Sequence, residues 1–409
     1  MIPLVFVLIG LALYVVLGGA DFGAGWWQLT AGTGEHADRV RELAHDSMAP
    51  VWEANHVWLI FVLTVFWTAY PKAFGSIAST LSVALFIASI GIISRGALYA
   101  LRSATTTTRE ERRIDPAFGL SSIVTPFALG AAVGGIASGR VPVGNAAGSL
   151  WTSWLNPTSA IIGALAVVTG IYMAAVFLSG DAGRTGNADL IESYRTRALV
   201  SGVVAGALAV GGLIVIHGDA PRLYHGLVQG DGLPALIVSA LAGIGTIALV
   251  WLRRFEPARY VAGVAVAAIV AGWALAQKPQ LLPGLTVSQA AAPHDTLVAV
   301  IVAVIAGAVI LFPSLAALFR LTLGGQFDPG DAAAEARPAT PRAVEPRNPR
   351  LVARLAIGAL VIGFGLVNVA SSTLAHVIGA GFLFAFVGLG FRVALSLGGE
   401  AEEPAATSK

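Results

Sequence analysis

Four ionisable side chains interrupt otherwise apolar stretches of this 409-residue chain: Asp21 in GGADFGAGWW, Glu53 in PVWEANHVW, Arg95 in IISRGALYA, and His376 towards the C-terminus. Each such group is costly at a bilayer centre unless it is paired or wet. Carboxylates in a partly dry site can exchange protons with nearby water, and a guanidinium beside them limits the cost of burying them. The competing reading is interfacial, with Asp21 and Glu53 at headgroup level and Arg95 snorkelling beside Trp26, Trp27 and Trp52. Spacing alone leaves both open.

The elements that must position these groups are membrane helices. The chain is 56% hydrophobic and 12% charged, with mean hydropathy +0.78, whereas a soluble domain is about 25% charged. Eleven apolar stretches are long enough to cross roughly 30 Å of hydrocarbon as helices: Pro3 to Leu29, Val51 to Tyr70, Phe74 to Leu101, Phe118 to Ala137, Pro157 to Ser179, Ala198 to His217, Leu233 to Leu252, Tyr260 to Ala276, Thr296 to Phe319, Leu351 to Val369 and Thr373 to Leu395. They lack the alternation of a closed barrel. The first stretch has neither a basic leader nor a cleavage motif, so it reads as a retained helix. Small-residue pairs (Gly19 with Gly23, Gly130 with Gly134, Gly202 with Gly206) read as sites of close helix packing.

Basic residues should collect on alternate connections if this division is right. With the N-terminus outside, the cytoplasmic segments hold 20 Lys and Arg, the outer connections hold 4 (Lys72, Arg140, Arg222, Lys278), and Arg95 is the remaining one of 25. The expected orientation is therefore an outside N-terminus and a cytoplasmic C-terminus. At 1.5 Å of rise per residue, Asp21 lies about 27 Å along the first span and Arg95 about 31 Å along the third. Glu53 lies just inside the cytoplasmic end of the second, with His56 about one turn deeper. Three charged groups from three consecutive helices share one level.

Several functions are excluded. The absence of cysteine removes disulfide, iron–sulfur and thiol chemistry. A net charge of +2 with dispersed basic residues argues against nucleic acid. No P-loop, no GxGxxG after a strand and no HExxH occurs. Of seven His, only His56 and His376 lie well inside spans, and a helix-packing role suits each, so this chain is expected to bind no haem, to hold no metal and to carry no catalytic residue of its own. Gly324 to Arg350, rich in Pro, Ala, Gly and Arg, reads as a flexible linker.

The run LGGADFGAGWWQLTAG, followed some twenty residues later by MAPVWEANHVWLIFVLTVFWTAYPKAF, closely resembles the N-terminal signature of subunit II of cytochrome bd quinol oxidases, including the cyanide-insensitive variants. The resemblance implies an all-α polytopic protein of two four-helix bundles (residues 1–137 and 138–276) and a peripheral ninth helix (277–323). It further implies a haem-bearing partner, subunit I, that carries haems b558, b595 and d and oxidises quinol, often with a small single-helix subunit and with a structural quinone or lipid. Subunit II would stabilise that partner and contribute to a cytoplasmic proton path. The complex would oxidise quinol and reduce dioxygen to water, building a proton gradient without pumping, in a bacterial inner membrane.

Position by position, Asp21 matches the family's aspartate in the first helix, and Glu53 sits where the family has an acidic residue after the Trp of the second. These two are the candidate proton-path residues. Trp52, Trp58 and Asn55 match neighbouring family positions and are assigned to shaping and hydrating the site or to helix packing; His56 is a supporting residue with a helix-packing or hydrogen-bonding role. Arg95 has no motif match and enters through its depth alone. The chain departs from the family after the ninth span, adding the linker 324–350, a hairpin 351–395 and a tail 396–409. A proton-coupled secondary transporter is the alternative; it would place its polar groups near mid-bilayer on discontinuous helices. A purely structural scaffold is the third reading.

Overall fold

The computed structural model describes residues 2–103, 108–323, 349–369 and, between 372 and 389, all but 373, 376, 387 and 388. The tail, His376, nearly all of the linker, and the side chains of Trp52 and Glu53 lie outside the described residues.

Helices make up almost all of the described chain, as the sequence requires. Eight are long and apolar enough to cross a membrane, and three shorter apolar helices (Asn55–Ala69, Arg354–Gly363, Val377–Phe386) fall in the remaining predicted stretches. The first span comprises α1 (Ile2–Leu13), a π-helical turn (Tyr14–Gly18) and α2 (Gly19–Leu29). The second is the C-terminal part of α3 (Glu35–Ala69), whose polar first turns carry the exposed pairs Glu35–Arg39 and Asp38–Arg41. The third stretch is not one helix. It divides at Leu81 (φ −97°, ψ 18°) into α4 (Pro71–Thr80) and α5 (Ser82–Ser103). Then follow α6 (Thr108–Ala137), α7 (Pro157–Thr185), α8 (Ala188–Asp219), α9 (Pro221–Val228), α10 (Leu233–Trp251) and α11 (Phe255–Gln277).

Prolines and side-chain caps set these boundaries. Tyr70 and Ala220 adopt nearly the same non-helical conformation (φ −137°, ψ 56° and φ −138°, ψ 63°), since a following proline disfavours the α region, and Pro71 and Pro221 then open α4 and α9. Asn156 caps α7 through Ser159 N (2.9 Å), and Asn187 caps α8 through Asp189 N (3.1 Å) and Leu190 N (3.2 Å). The connection after α11 is built rather than loose. A short hairpin, β1 (Gln280–Leu282) with β2 (Leu285–Thr286), leads into α12 (Val287–Ala290), closed by a Thr286/Gln289 capping box. Leu282 and Leu285 pack with Tyr70, Leu81, Val141 and Trp154, and Ala292 N donates to Ala69 O (2.8 Å).

Residues Met1–Ile310 form one compact unit and Leu311–Lys409 a second; α13 (His294–Leu323) runs from the first into the second. In the second unit, α14 (Pro349–Val369) approaches the helix Val377–Phe386 at Gly363, where a Cβ would meet the Gly379 carbonyl and Leu383. In the first unit, α7 is the central helix, packed against α2, α6, α8 and α11.

Small residues make that centre possible. A Cβ at Gly23 would collide with the Gly170 carbonyl and Ala174 of α7, and Cβ atoms at Gly130 and Gly134 would meet Gly163 and Ser159. Gly202 packs against Tyr172, but Gly206 faces open space, so the third small-residue pair is a contact at one of its two positions. The contrast yields a prediction. Gly23→Ala forces backbone apart in a close-packed interior and is expected to destabilise by about 3 kcal/mol or more, whereas Gly206→Ala is expected to be neutral or stabilising by up to about 1 kcal/mol. Thermal unfolding of the purified protein in detergent separates them, and equal melting temperatures would contradict the packing described.

A second clamp lies at the end of the bundle opposite the arginine-rich connections. Asp219, the last residue of α8, takes both nitrogens of Arg140 (2.7 and 2.9 Å) in a fork and accepts from Thr158 N (3.1 Å) and Thr158 Oγ1 (2.6 Å). The carboxylate thus ties the α6–α7 connection to the start of α7, where the helix dipole favours an anion. Asp219→Ala is expected to cost about 1–3 kcal/mol, read as a lower melting temperature with the helical content unchanged.

Candidate functional site

Asp21 lies in the first turn of α2, immediately after the π-turn. Its side chain is about 3% exposed, and that of Arg95, from α5, about 1%. Arg95 Nη2 donates to Asp21 Oδ1 (2.6 Å) and to the Asp21 backbone carbonyl (2.8 Å), and Nη1 donates to Ser122 Oγ of α6. The guanidinium lies 4.3 Å from the Phe118 ring centroid and 5.1 Å from that of Phe22. Among the described residues, this is the ion pair whose two partners are both buried; every other has at least one side chain that is 12% exposed or more.

Each contact has a local cause. Gly25 lets α2 approach Ser122 and the guanidinium, since a Cβ there would clash with Ser122 and meet Arg95 Nη1. Ser122 Oγ also donates to Phe118 O (2.7 Å), an i to i−4 bond that orients the hydroxyl as an acceptor for Arg95. Two aromatic faces flank the guanidinium, replacing part of its hydration by cation–π attraction. Planar, delocalised and forked, arginine suits such a site, and lysine could not make the same set of bonds.

The sequence-predicted residues divide as follows. Asp21 and Arg95 meet, from the first and third spans, at the common level that their depths require. Arg95 does not snorkel, because its head is enclosed on all sides. Asn55 is fully buried on α3, and its Nδ2 donates to the Leu17 carbonyl of the π-turn (3.1 Å). His56 is half-buried and within electrostatic range of Asp21 and Arg95. Trp58 makes an edge contact with Phe61, one turn on along α3 (centroids 6.4 Å apart). Glu53 lies in α3 three residues before His56, one turn away along the helix, with its side chain outside the described residues.

Ser122, Phe22, Phe118 and Tyr14 were not read from sequence. For Ser122 a signal existed, the polar cluster Ser121, Ser122 and Thr125 in the fourth span, all three buried. Tyr14 is 6% exposed and, like His56, within electrostatic range of Asp21 and Arg95. No group of three or more His, Cys, Asp or Glu able to hold a metal is found among the described residues.

Comparison with known proteins agrees with the sequence motifs. The family model for cytochrome bd terminal oxidase subunit II matches residues 1–322. The chain is 24% identical over 242 residues to a candidate cytochrome bd menaquinol oxidase subunit II of Bacillus subtilis, covering 57% of this chain and 67% of that one. It is 29% identical over 126 residues to the cytochrome bd-I ubiquinol oxidase subunit 2 of Escherichia coli, a stretch spanning 31% of this chain and 32% of the relative. In three dimensions it is similar to a chain of the bd oxidase from Geobacillus thermodenitrificans, with a TM-score of 0.62 and 25% identity over 79% of this chain and 98% of that one. The chain is thus a multi-pass membrane protein of the cytochrome bd terminal oxidase subunit II family.

Proposed function

We propose that this chain is the haem-free subunit II of a quinol:oxygen oxidoreductase, that it stabilises a haem-bearing subunit I, and that it carries protons inward from the cytoplasm along Glu53 and Asp21. The observation that supports this most is the buried Asp21–Arg95 pair at 2.6 Å, whose carboxylate belongs to the family's signature motif and which is closed to solvent within this chain. A sealed carboxylate does not exchange directly with bulk water, so protons reach it through neighbouring polar groups. In this reading Glu53, one turn from His56 on α3, delivers them, and His56 is a supporting group. Arg95 fixes the position of the carboxylate, and Asn55 fixes the turn that precedes it.

In this reading the N-terminus is periplasmic or extracellular and the C-terminus cytoplasmic, with the arginine-rich connections inside. Residues 1–137 and 138–276 are two four-helix bundles that share α7 and the first span as their contact, 277–323 holds the peripheral helix, and the C-terminal hairpin is an added module dispensable for the path. Haem chemistry and quinol oxidation belong to the partner, and a small single-helix subunit, a structural quinone or lipid completes the assembly. The test is the turnover of a complex that carries Glu53→Gln at native haem content. An unchanged rate would leave the scaffold reading in place of the proton path.

A further inference from the structure

An open cavity of about 440 Å³ lies between the C-terminal end of α7 and the connection from α10 to α11. Small-ligand sites usually fall in the range of about 300–1,000 Å³. Gly180 and Gly183 form its α7 side, and the charged groups that line it are Arg184, Arg253, Arg254 and Glu256. Arg184 donates to Asp181 Oδ1 (3.3 Å) and to Glu256 Oε1 (2.9 Å), and Arg253 donates to Glu192 Oε2 (2.8 Å). The Arg254 side chain has no hydrogen-bond or ion-pair partner among the described residues. Arg195 and Arg259 complete the same network of ion pairs, through Glu192 (2.8 Å) and Asp181 (2.6 Å). Five guanidiniums thus stand against three carboxylates at this end of the bundle, an excess of two positive charges.

Charge calls for an anion here, and position says which kind. Trp251, Leu252 and Tyr260, beside the lining arginines in sequence, are 65%, 64% and 75% exposed. Such an apolar and aromatic edge belongs at the boundary between hydrocarbon and headgroups. Arg253 carries its side chain at a left-handed backbone position (φ 60°), where a helix end usually places glycine, and Arg254 N closes α10 on the Leu249 carbonyl (2.8 Å). The Arg253–Glu192 pair is about half exposed on both sides and therefore screened, so it does not hold the guanidinium against a better anion. Guanidinium forks take phosphate oxygens in pairs, and basic pockets at the ends of membrane helices suit anionic headgroups. We propose that this cavity binds the phosphate headgroup of an anionic phospholipid, held by Arg253 and Arg254, with its acyl chains against the exposed edge of Trp251 and Leu252. Free phosphate would meet the same guanidiniums but would gain nothing from that edge. The site deepens the assembly proposed above by giving its lipid a class and a place, and it needs no step of the proton path.

The experiment follows the melting temperature of the delipidated complex in mild detergent as short-chain phosphatidylglycerol, short-chain phosphatidylcholine or inorganic phosphate is added, for the wild type and Arg254→Gln. Phosphatidylglycerol is expected to raise the wild-type melting temperature, and the other two, at the same concentrations, are not. Arg254→Gln breaks no side-chain bond within the described residues, so without lipid it is expected to melt with the wild type. It is expected to need about fivefold more phosphatidylglycerol for the same rise, the share of one guanidinium in holding an anionic headgroup. An equal rise with phosphatidylcholine, or no rise with phosphatidylglycerol, overturns the anionic site. An equal rise with inorganic phosphate overturns the lipid and leaves a phosphate site. Equal titrations of wild type and variant overturn the place of binding, and loss of assembly in Arg254→Gln does so as well, because Arg254 would then be holding the protein. The readings fail separately: Glu53→Gln with native turnover removes the proton path and leaves the lipid titration as it is. A haem-free, partner-free preparation removes the oxidase reading, and the same titration of the chain alone still decides the site.

Discussion

Arg95→Leu is expected to prevent the complex from accumulating, and Arg95→Leu combined with Asp21→Leu is expected to restore assembly without restoring turnover. The single substitution strands the Asp21 carboxylate, 3% exposed, with no counter-charge, and removes the donor from its own backbone carbonyl. Breaking a buried pair in this way costs about 3–5 kcal/mol, a large part of the stability of most proteins. Replacing both partners by apolar side chains removes the stranded charge, and such exchanges are commonly neutral or stabilising by about 1–4 kcal/mol. Ser122 tolerates the exchange because its hydroxyl keeps the bond to Phe118 O (2.7 Å), and Phe22 and Phe118 already supply an apolar wall. Arg95→Lys is expected to fall between, since lysine keeps the charge but not the fork. Immunoblots of membranes and melting temperatures in detergent measure all three. Wild-type levels of an Arg95→Leu complex would mean that the pair does not hold the helices together.

Glu53→Gln is the second large effect, and it is an effect on rate. The amide keeps the size of the carboxyl group and one accepting oxygen but cannot carry a proton, so assembly and haem content are expected to be native while oxygen consumption with excess quinol falls about a hundredfold, the lower end of what one proton-transfer group supplies. Glu53→Asp is expected to recover part of the rate. The scaffold reading predicts no change in either variant, and the transporter reading predicts no oxidase activity to lose.

Much of this was legible in the residues. Runs of about twenty apolar residues are long enough to cross a membrane as helices, so the multi-pass, all-helical character could be read directly, and the cost of a buried charge singled out Asp21 and Arg95 before any geometry. Arg95 shows how far depth alone reaches: without a motif, it was brought to the level of Asp21 by counting rise per residue, and the two meet at 2.6 Å. The same counting could not decide between a buried pair and an interfacial one. That depended on Gly25, Ser122, Phe22 and Phe118, which enclose the guanidinium from two spans far apart in sequence.

The π-turn left no trace in composition, because one extra residue in a turn of Tyr, Val, Val, Leu and Gly changes no hydropathy value. The break at Leu81 was likewise invisible, since the apolar run continues across it. The hairpin before α12 was hidden for the opposite reason: three- and two-residue strands are too short for an alternating pattern to register. By contrast, the breaks at Tyr70 and Ala220 were readable in principle from Pro71 and Pro221.

The central claim is that this chain works as the haem-free partner in a quinol oxidase, and its most direct test is purification of the tagged chain from its native membrane in mild detergent, with a reduced-minus-oxidised visible spectrum and identification of the co-purifying polypeptides. The account predicts the bands of haems b and d, carried by a second large subunit. A colourless, partner-free chain, under conditions in which a bd oxidase complex is shown to survive the detergent, would contradict it.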